Sequence, residues 1–312
     1  GNYEKNTVAT AKMAIESRRY MAEFAKNAGV EFDLEDSGIL HIYKRDADFA
    51  HAHNVTNMLA KAGLMRRQLS PDEVYDIEPA LQAEVIGGYY TDSDFTGDIH
   101  KFANGLAEAA ERAGVKFAMN TQITDIHHGG DKPHLFWENL DGDANECTFD
   151  GVVITAGVMS RKLASALGDN VNVYPVKGYS ITVDLKDATS QAAAPVVSLL
   201  DDAAKIVTAR LGKNRFRVAG TAEINGINYD IRADRIAPLT RWVEDNFPDI
   251  CTKAVTPWAG LRPMMPSMMP HIGAGRKKGV FYNTGHGHLG WTLSCISAQM
   301  IGDIVCAKGN HI

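Results

Sequence analysis

The chain has 312 residues, 45% of them hydrophobic and 22% charged, which is enough to bury one or two soluble cores. Its net charge of −6, with no basic stripe, argues against a nucleic-acid binder. No apolar run approaches membrane-spanning length and no leader peptide is expected. The four cysteines (Cys147, Cys251, Cys295, Cys306) and eleven histidines lack metal-ligand spacing, so a cytoplasmic chain without a metal site is expected.

From about Glu4 to Ala28, Val8, Ala11, Ile15, Met21 and Phe24 fall near helical spacing, and Gly29 ends the helix. Short strands are expected at Val30–Phe32 and Gly38–Tyr43, the second with Leu40 and Ile42 on one face. A helix over Asp46–Ala62 stops at Gly63. Ser70-Pro71-Asp72-Glu73 is a capping box with proline at the first helical position. Gly87–Thr91 reads as a strand, and Asp98 caps a helix through Ala113. Strands at Val115–Met119 and Gln122–His127 follow, and His128-Gly129-Gly130-Asp131 turns the chain back into His134–Trp137. Asp150–Ala156 is almost continuously apolar, as in a strand buried on both faces of a parallel sheet, and Gly157 turns it into a helix over Ser160–Leu167. Val176–Val183, Ile206–Arg210 and Phe216–Ala222 suit a larger antiparallel sheet. Asp234–Asn246 is helical, and Trp258–Pro263 leads into a loop rich in proline and methionine. The fold class is α/β, in a mixed α+β arrangement. Cys295 and Cys306 are expected in the core of an apolar closing helix.

Ahead of that helix, Gly279–Asn283 is an apolar run that feeds a turn spelling G-x-G-x-x-G at Gly285, Gly287 and Gly290. A dinucleotide fingerprint requires a second strand ending in an acidic residue, and none follows in this sequence. Two readings stay open. Backbone N–H groups and a positive helix end face an electron-rich group, or the glycines serve backbone conformation alone.

Three stretches carry a resemblance: Tyr174-Pro175-Val176-Lys177-Gly178-Tyr179-Ser180, the run from Trp258 to Pro266, and the run from Asn283 to Thr292. Together with Asp94–Asp98 and Val152–Gly157, they resemble the D-amino-acid dehydrogenase small-subunit family, within the FAD-dependent D-amino-acid oxidase and glycine oxidase superfamily. The resemblance runs along essentially the whole chain. It implies an antiparallel-sheet substrate lobe from residues 30–97 and 172–262. It also implies a partial FAD lobe, of the glutathione-reductase-like type, from residues 98–171 and 263–312. The implied reaction is oxidative deamination of D-amino acids to keto acids and ammonia, with hydride passing from the substrate Cα to flavin N5. If the amine arrives neutral, no dedicated base is required, and catalysis is mainly positioning and electrostatics.

By the same resemblance Arg262 pairs with the substrate carboxylate, and its planar fork suits that partner. Gly287, His288, Leu289, Gly290, Trp291 and Thr292 match the stretch facing the flavin pyrimidine edge. Gly157 matches a glycine at a strand end near the cofactor, and Ile123 a position whose main chain meets the adenine. Tyr179 stands on the substrate side and could offer a hydroxyl. Each has a plainer alternative: a structural arginine, turn packing, a helix-entry glycine, a core isoleucine, a packed aromatic. Family members open with a βαβ unit that holds the FAD pyrophosphate, and no stretch here supplies it. This polypeptide is therefore expected to lack roughly the first hundred residues of the pattern, on the order of one small domain. By itself it is expected to hold FAD weakly, to be catalytically silent, and to associate with itself or with a chain supplying that unit. Expected partners are a D-amino acid or similar small carboxylate, with peripheral membrane association at the inner face as a further option. The alternatives to a D-amino-acid dehydrogenase are a glycine- or sarcosine-type amine oxidase and a non-catalytic carboxylate-binding remnant.

Overall fold

A computed structural model describes residues 2–309; Gly1 and the last three positions of the expected 263–312 segment lie outside the described residues. The chain divides into two compact units. The first comprises Gly1–Lys12, Gly29–Gly105 and Lys177–Leu261, and the second Met13–Ala28, Leu106–Val176 and Arg262–Ile312. A long helix, α1 (Asn2–Ala28), contributes to both.

The first unit is built on an eight-stranded sheet, of which residues 174–176 and 262–264 are counted in the second. Its strands are β1 (Ile39–Tyr43), β2 (Arg67–Leu69), β3 (Gly87–Thr91), β8 (Tyr174–Asp184), β9 (Ser198–Asp201), β10 (Ile206–Leu211), β11 (Arg215–Glu223) and β12 (Val255–Met264), in the order β12-β8-β11-β10-β9-β1-β3-β2. The ladders that define its registers are antiparallel except β1 beside β9, which is parallel. Alternation along the strands sends Leu40, Ile42, Tyr179, Ile181, Val183, Phe216 and Val218 into one core. Helices α3 (Pro71–Ile77) and α7 (Ala233–Asn246) also meet that core, α7 through Leu239, Trp242 and Val243 at helical spacing. The capping box at Ser70 is formed: its side chain accepts from Glu73 N, and its own N–H donates to the Glu73 carboxylate at 2.8 Å. Helix α2 (Asp46–Ala60) packs on the other face through Phe49 and Ala52, against Tyr43 and Tyr89.

Two expected strands do not form. Residues Val30–Phe32 are irregular, because their polar groups go elsewhere. Asp33 takes φ +50, Asp98 N donates to Phe32 O at 2.7 Å, and Glu35 bridges Thr96. Val115, Phe117 and Met119 keep their apolar alternation, but no described strand pairs with them and they are exposed. Trp258–Pro263, which has no expected element of its own, is the body of the ten-residue β12 and does lead into a loop at 265–270; β2, β9 and the short α6 (Ala188–Ala193) are further elements without an expectation.

Asp98 caps α4 (Ile99–Arg112) as its position predicts, accepting from His100 N at 2.9 Å and Lys101 N at 3.2 Å, and it also pairs with Arg215 at 2.7 Å. Burial pushes its carboxyl up, but the Arg215 hydrogen bond and the cap N–H groups outweigh this and hold it below the usual range. A carboxyl depressed in the fold stabilises above its unfolded value, and that contribution fades as pH falls through the folded one. Asp98→Ala should lower unfolding stability at pH 7 by about 1–2 kcal/mol, the value of a lost cap. The difference from the parent should shrink on acidification in urea melts. A constant difference down to the acid transition would remove the charge from the account.

The second unit holds two three-stranded sheets. One is β4 (Thr121–Gly129), β5 (Lys132–Asn139) and β6 (Ala144–Thr148); the other is β13 (His271–Ala274), β14 (Val280–Thr284) and β7 (Val152–Ile154) in the order β13-β14-β7. Helices α5 (Ser160–Ala166) and α8 (Gly290–Gly309) belong to it. By length and composition Gly287–Ala307 is apolar enough to cross a membrane, contrary to the expectation of no such run; Leu293, Cys295, Ser297 and Ile301 along it are buried. Cys306, expected in the core, is exposed.

Candidate functional site

β7 and β14 are parallel neighbours, pairing Val280 with Val152 and Tyr282 with Ile154. Both therefore end on the same side, where parallel sheets commonly leave a ligand crevice. Each runs through a glycine turn of one 3₁₀ segment, Gly157–Met159 or Gly287–Leu289, into a helix. The two turns are tied together. The buried hydroxyls of Ser160 and Thr284 lie 2.8 Å apart, and Thr284 also donates to Gly157 O at 3.4 Å.

The turns require glycine for definite reasons. Gly157 has φ +53, and a side chain there would project into open space; Gly287 has φ +58, and a Cβ would stand 2.7 Å from Met264 Sδ. That contact presses the Gly287 turn onto the end of β12, two residues beyond Arg262. The Arg262 charge reaches His288: burial first, and the guanidinium second, hold this imidazole below its ordinary value. His286 is likewise lowered by burial, so both rings are neutral near pH 7. Nε2 of His286 and Oδ1 of Asn283 are sealed from solvent without a hydrogen-bond partner among the described residues.

Of the expected site residues, Gly157, Arg262 and the Gly287–Thr292 stretch fall within this one arrangement. Leu289 closes the turn by donating its N–H to His286 O at 3.0 Å, and Gly290 opens α8, followed by half-buried Trp291 and exposed Thr292. Ile123 lies in the same unit but in the other sheet, opposite Trp137 beside a bulge. Tyr179 belongs to the first unit. It is buried, its hydroxyl donates to Glu223 Oε2 at 2.6 Å, and Lys177 Nζ lies 5.2 Å from its ring centre. Lys177, fully buried, also donates to Asn228 Oδ1 at 2.7 Å and meets Glu223 at 3.3 Å, and Arg232 meets the other Glu223 oxygen at 2.9 Å. Sequence reasoning missed Glu223 and the Ser160–Thr284 tie. A lone acid at a strand end and two hydroxyls 124 positions apart leave no local signal.

The model of the FAD dependent oxidoreductase family matches residues 1–304, and the chain belongs to that family. Over 303 residues it is 50% identical to D-amino acid dehydrogenase 3 of Mesorhizobium japonicum, covering 97% of this chain and 73% of that protein. It is 37% identical to the D-amino acid dehydrogenase of Dechloromonas aromatica, covering 99% of this chain and 74% of that protein. Among solved structures, glycine oxidase from Geobacillus kaustophilus superposes with a TM-score of 0.84 at 22% identity, covering 95% of this chain and 78% of that one. Glycine oxidase from Bacillus cereus gives 0.81 at 24% identity, covering 95% and 80%. The shared fold is that of these FAD-dependent enzymes.

The residues present fit the family's cofactor. Two positive-φ glycine turns stand at the carboxyl ends of parallel strands; the one at Gly157 leaves backbone beside open space, and beside the one at Gly287 buried polar atoms of Asn283 and His286 lack partners among the described residues. Gly287–Thr292 and Gly157 are the residues that would hold the ring system.

Proposed function

We propose that this chain carries out FAD-dependent oxidative deamination of D-amino acids, releasing a keto acid and ammonia. The observation that carries the reading is Arg262 at the end of β12, placed by the Met264–Gly287 contact beside the turn at the start of α8. The two D-amino acid dehydrogenases, at 50% and 37% identity, supply the substrate class.

Each residue has a definite task. Arg262 clasps the carboxylate with its guanidinium fork and so fixes which face of the amino acid is presented. The N–H groups of Gly287–Gly290, with the positive end of α8, offer stabilisation to negative charge that builds up beside them. His288, kept neutral, adds no positive charge near Arg262 and leaves a bound amine free to lose its proton to water. FAD, when bound, supplies the two-electron acceptor. Tyr179 has already given its hydroxyl hydrogen bond to Glu223, so the part we assign it is to position that carboxylate. Ile123 is assigned a main-chain contact to the adenine end. A cytoplasmic location, with the inner membrane face as a docking option, is part of this reading, and the free thiols of the described cysteines support it.

Arg262→Met tests the reading. Calorimetric affinity for D-alanine or a carboxylate analogue should fall by about 1.5–3 kcal/mol, the value of a hydrogen bond to a charged group. Unchanged affinity would take Arg262 out of the site. Turnover with a quinone dye but without peroxide separates a dehydrogenase from an amine oxidase.

A further inference from the structure

Beneath α2 in the first unit lies a cluster of polar atoms that the folded chain leaves without partners. Nε and Nη2 of Arg66, Nδ1 of His41 and Oγ1 of Thr56 are all sealed from solvent and make no hydrogen bond among the described residues. They share one neighbourhood, centred on Tyr89. His41 stands opposite Tyr89 in the β1–β3 ladder, and the Arg66 guanidinium lies 5.1 Å from its ring centre. The Tyr89 hydroxyl is 3.4 Å from His53 Nδ1 on α2, and Thr56 follows His53 by one helical turn on the same face.

An interior guanidinium with three unspent N–H groups, one on Nε and two on Nη2, is costly, and folded proteins do not leave such groups unanswered. The Tyr43 hydroxyl meets both the Arg66 guanidinium and the Asp202 carboxylate, and Nε and Nη2 stay unanswered among the described residues. Asp202 accepts from the Tyr43 hydroxyl at 3.2 Å and faces Lys205 at 3.5 Å, and no ion pair joins it to Arg66 among the described residues. Lys205 is itself largely exposed to solvent. The unspent groups are also donors in the main: three guanidinium N–H, a hydroxyl, and an imidazole that can place its proton on Nδ1. Burial, and then the Arg66 charge, hold His41 down at about 3, so it stays neutral; Asp202 pulls weakly the other way. The exposed side chains of His53 and Gln68, both within hydrogen-bond distance of the Tyr89 hydroxyl, mark a side open to solvent.

We propose that this niche is a binding site for a small oxyanion, a carboxylate or a phosphate, held by Arg66 with His41 and Thr56. A set made mainly of donors around a guanidinium selects an anion over a water molecule, which must donate as well as accept. The site is independent of Arg262, which belongs to the other unit.

The test uses the full chain with its cofactor supplied, in an Arg262→Met background so that the substrate fork does not contribute. Inorganic phosphate and acetate are titrated separately against chloride at constant ionic strength. Thermal midpoint and the histidine ring signals in NMR are followed. The expected result is a saturable rise in midpoint, with His41 ring signals shifting to saturation at one anion per chain; the two arms tell phosphate from carboxylate. Adding Arg66→Met should weaken that binding by about tenfold or more, as expected for loss of a charge-assisted contact. If that variant does not fold, Arg66→Lys keeps the charge, loses the fork and should weaken binding in the same direction. No saturable response to either anion would overturn the proposal and assign the niche to water. An undiminished response in the Arg66 variant would overturn the location.

Discussion

Glu78→Ala should cost the first unit about 3–5 kcal/mol of stability, because it strips the acceptor from three N–H groups at once. Glu78 follows α3 and is 1% exposed. Its Oε2 accepts from Val196 N at 2.8 Å and Val197 N at 3.0 Å, and its Oε1 from Ala80 N at 3.1 Å. One side chain thus fastens the segment leading into β9 to the end of α3. Burial raises this carboxyl, and the three N–H groups and Arg210 only partly offset the rise. The sign is opposite to that at Asp98. A group whose folded value is raised favours the fold while protonated, and its contribution declines as pH climbs through the folded value. The parent should therefore lose part of its stability between mildly acid and neutral pH, and Glu78→Gln should flatten that stretch of the profile. Urea melts across that range decide it. If Glu78→Ala unfolds within 1 kcal/mol of the parent, roughly the value of a single hydrogen bond, the three contacts do not exist as drawn.

What could be read in the sequence was what short-range chemistry determines. The Ser70–Glu73 capping box and the Asp98 cap are complete within four residues, and both formed. The strand at Gly38–Tyr43 puts Leu40 and Ile42 on one face because side chains alternate along a strand, and both are buried. Val30–Phe32 and Val115–Met119 carry similar apolar patterns, yet neither forms a strand. Pairing needs a partner edge, and the sequence of one segment does not contain it. The same limit hid β12: Pro257, Pro263 and Gly260 argue against a strand until a neighbouring strand is known to lie beside them.

The candidate site divides in the same way. Arg262 and the glycine turn were found through motifs whose residue types match their chemistry. Their adjacency was not legible, since it rests on Met264 filling the space over Gly287. The buried Lys177–Glu223 contact joins positions 46 apart in sequence, and nothing local to Lys177 in its strand announces that an acid will meet it. Tyr179 illustrates the cost: its hydroxyl looked available for a substrate until Glu223 was seen to accept from it.

Gly287→Val should be the most damaging change in the second unit. At φ +58 an L-residue is strained by about 1–2 kcal/mol, and a β-branched one by more. The new Cβ would also stand 2.7 Å from Met264 Sδ, 3.4 Å from its Cε and 4.0 Å from its Cα. The Cα at 4.0 Å is in ordinary contact and the sulfur and methyl can swing away from the Cβ, but the γ-methyls of valine beyond it need the space that Met264 fills, and with the strained backbone they push the turn off the end of β12. Overpacking of this kind costs a further ~1–3 kcal/mol, and a total of about 2–5 kcal/mol is expected. The functional loss should exceed the stability loss, because the same displacement separates Arg262 from the turn. Affinity for both FAD and a carboxylate analogue should fall, measured by flavin fluorescence and calorimetry at a temperature where the variant is folded. Gly142→Val is the control: that glycine has φ +84 with no neighbour within 4 Å, on the link between β5 and β6. It should lower the thermal midpoint through backbone strain while leaving both affinities unchanged. Equal affinities in Gly287→Val and the parent would show that the turn and Arg262 do not work as one site.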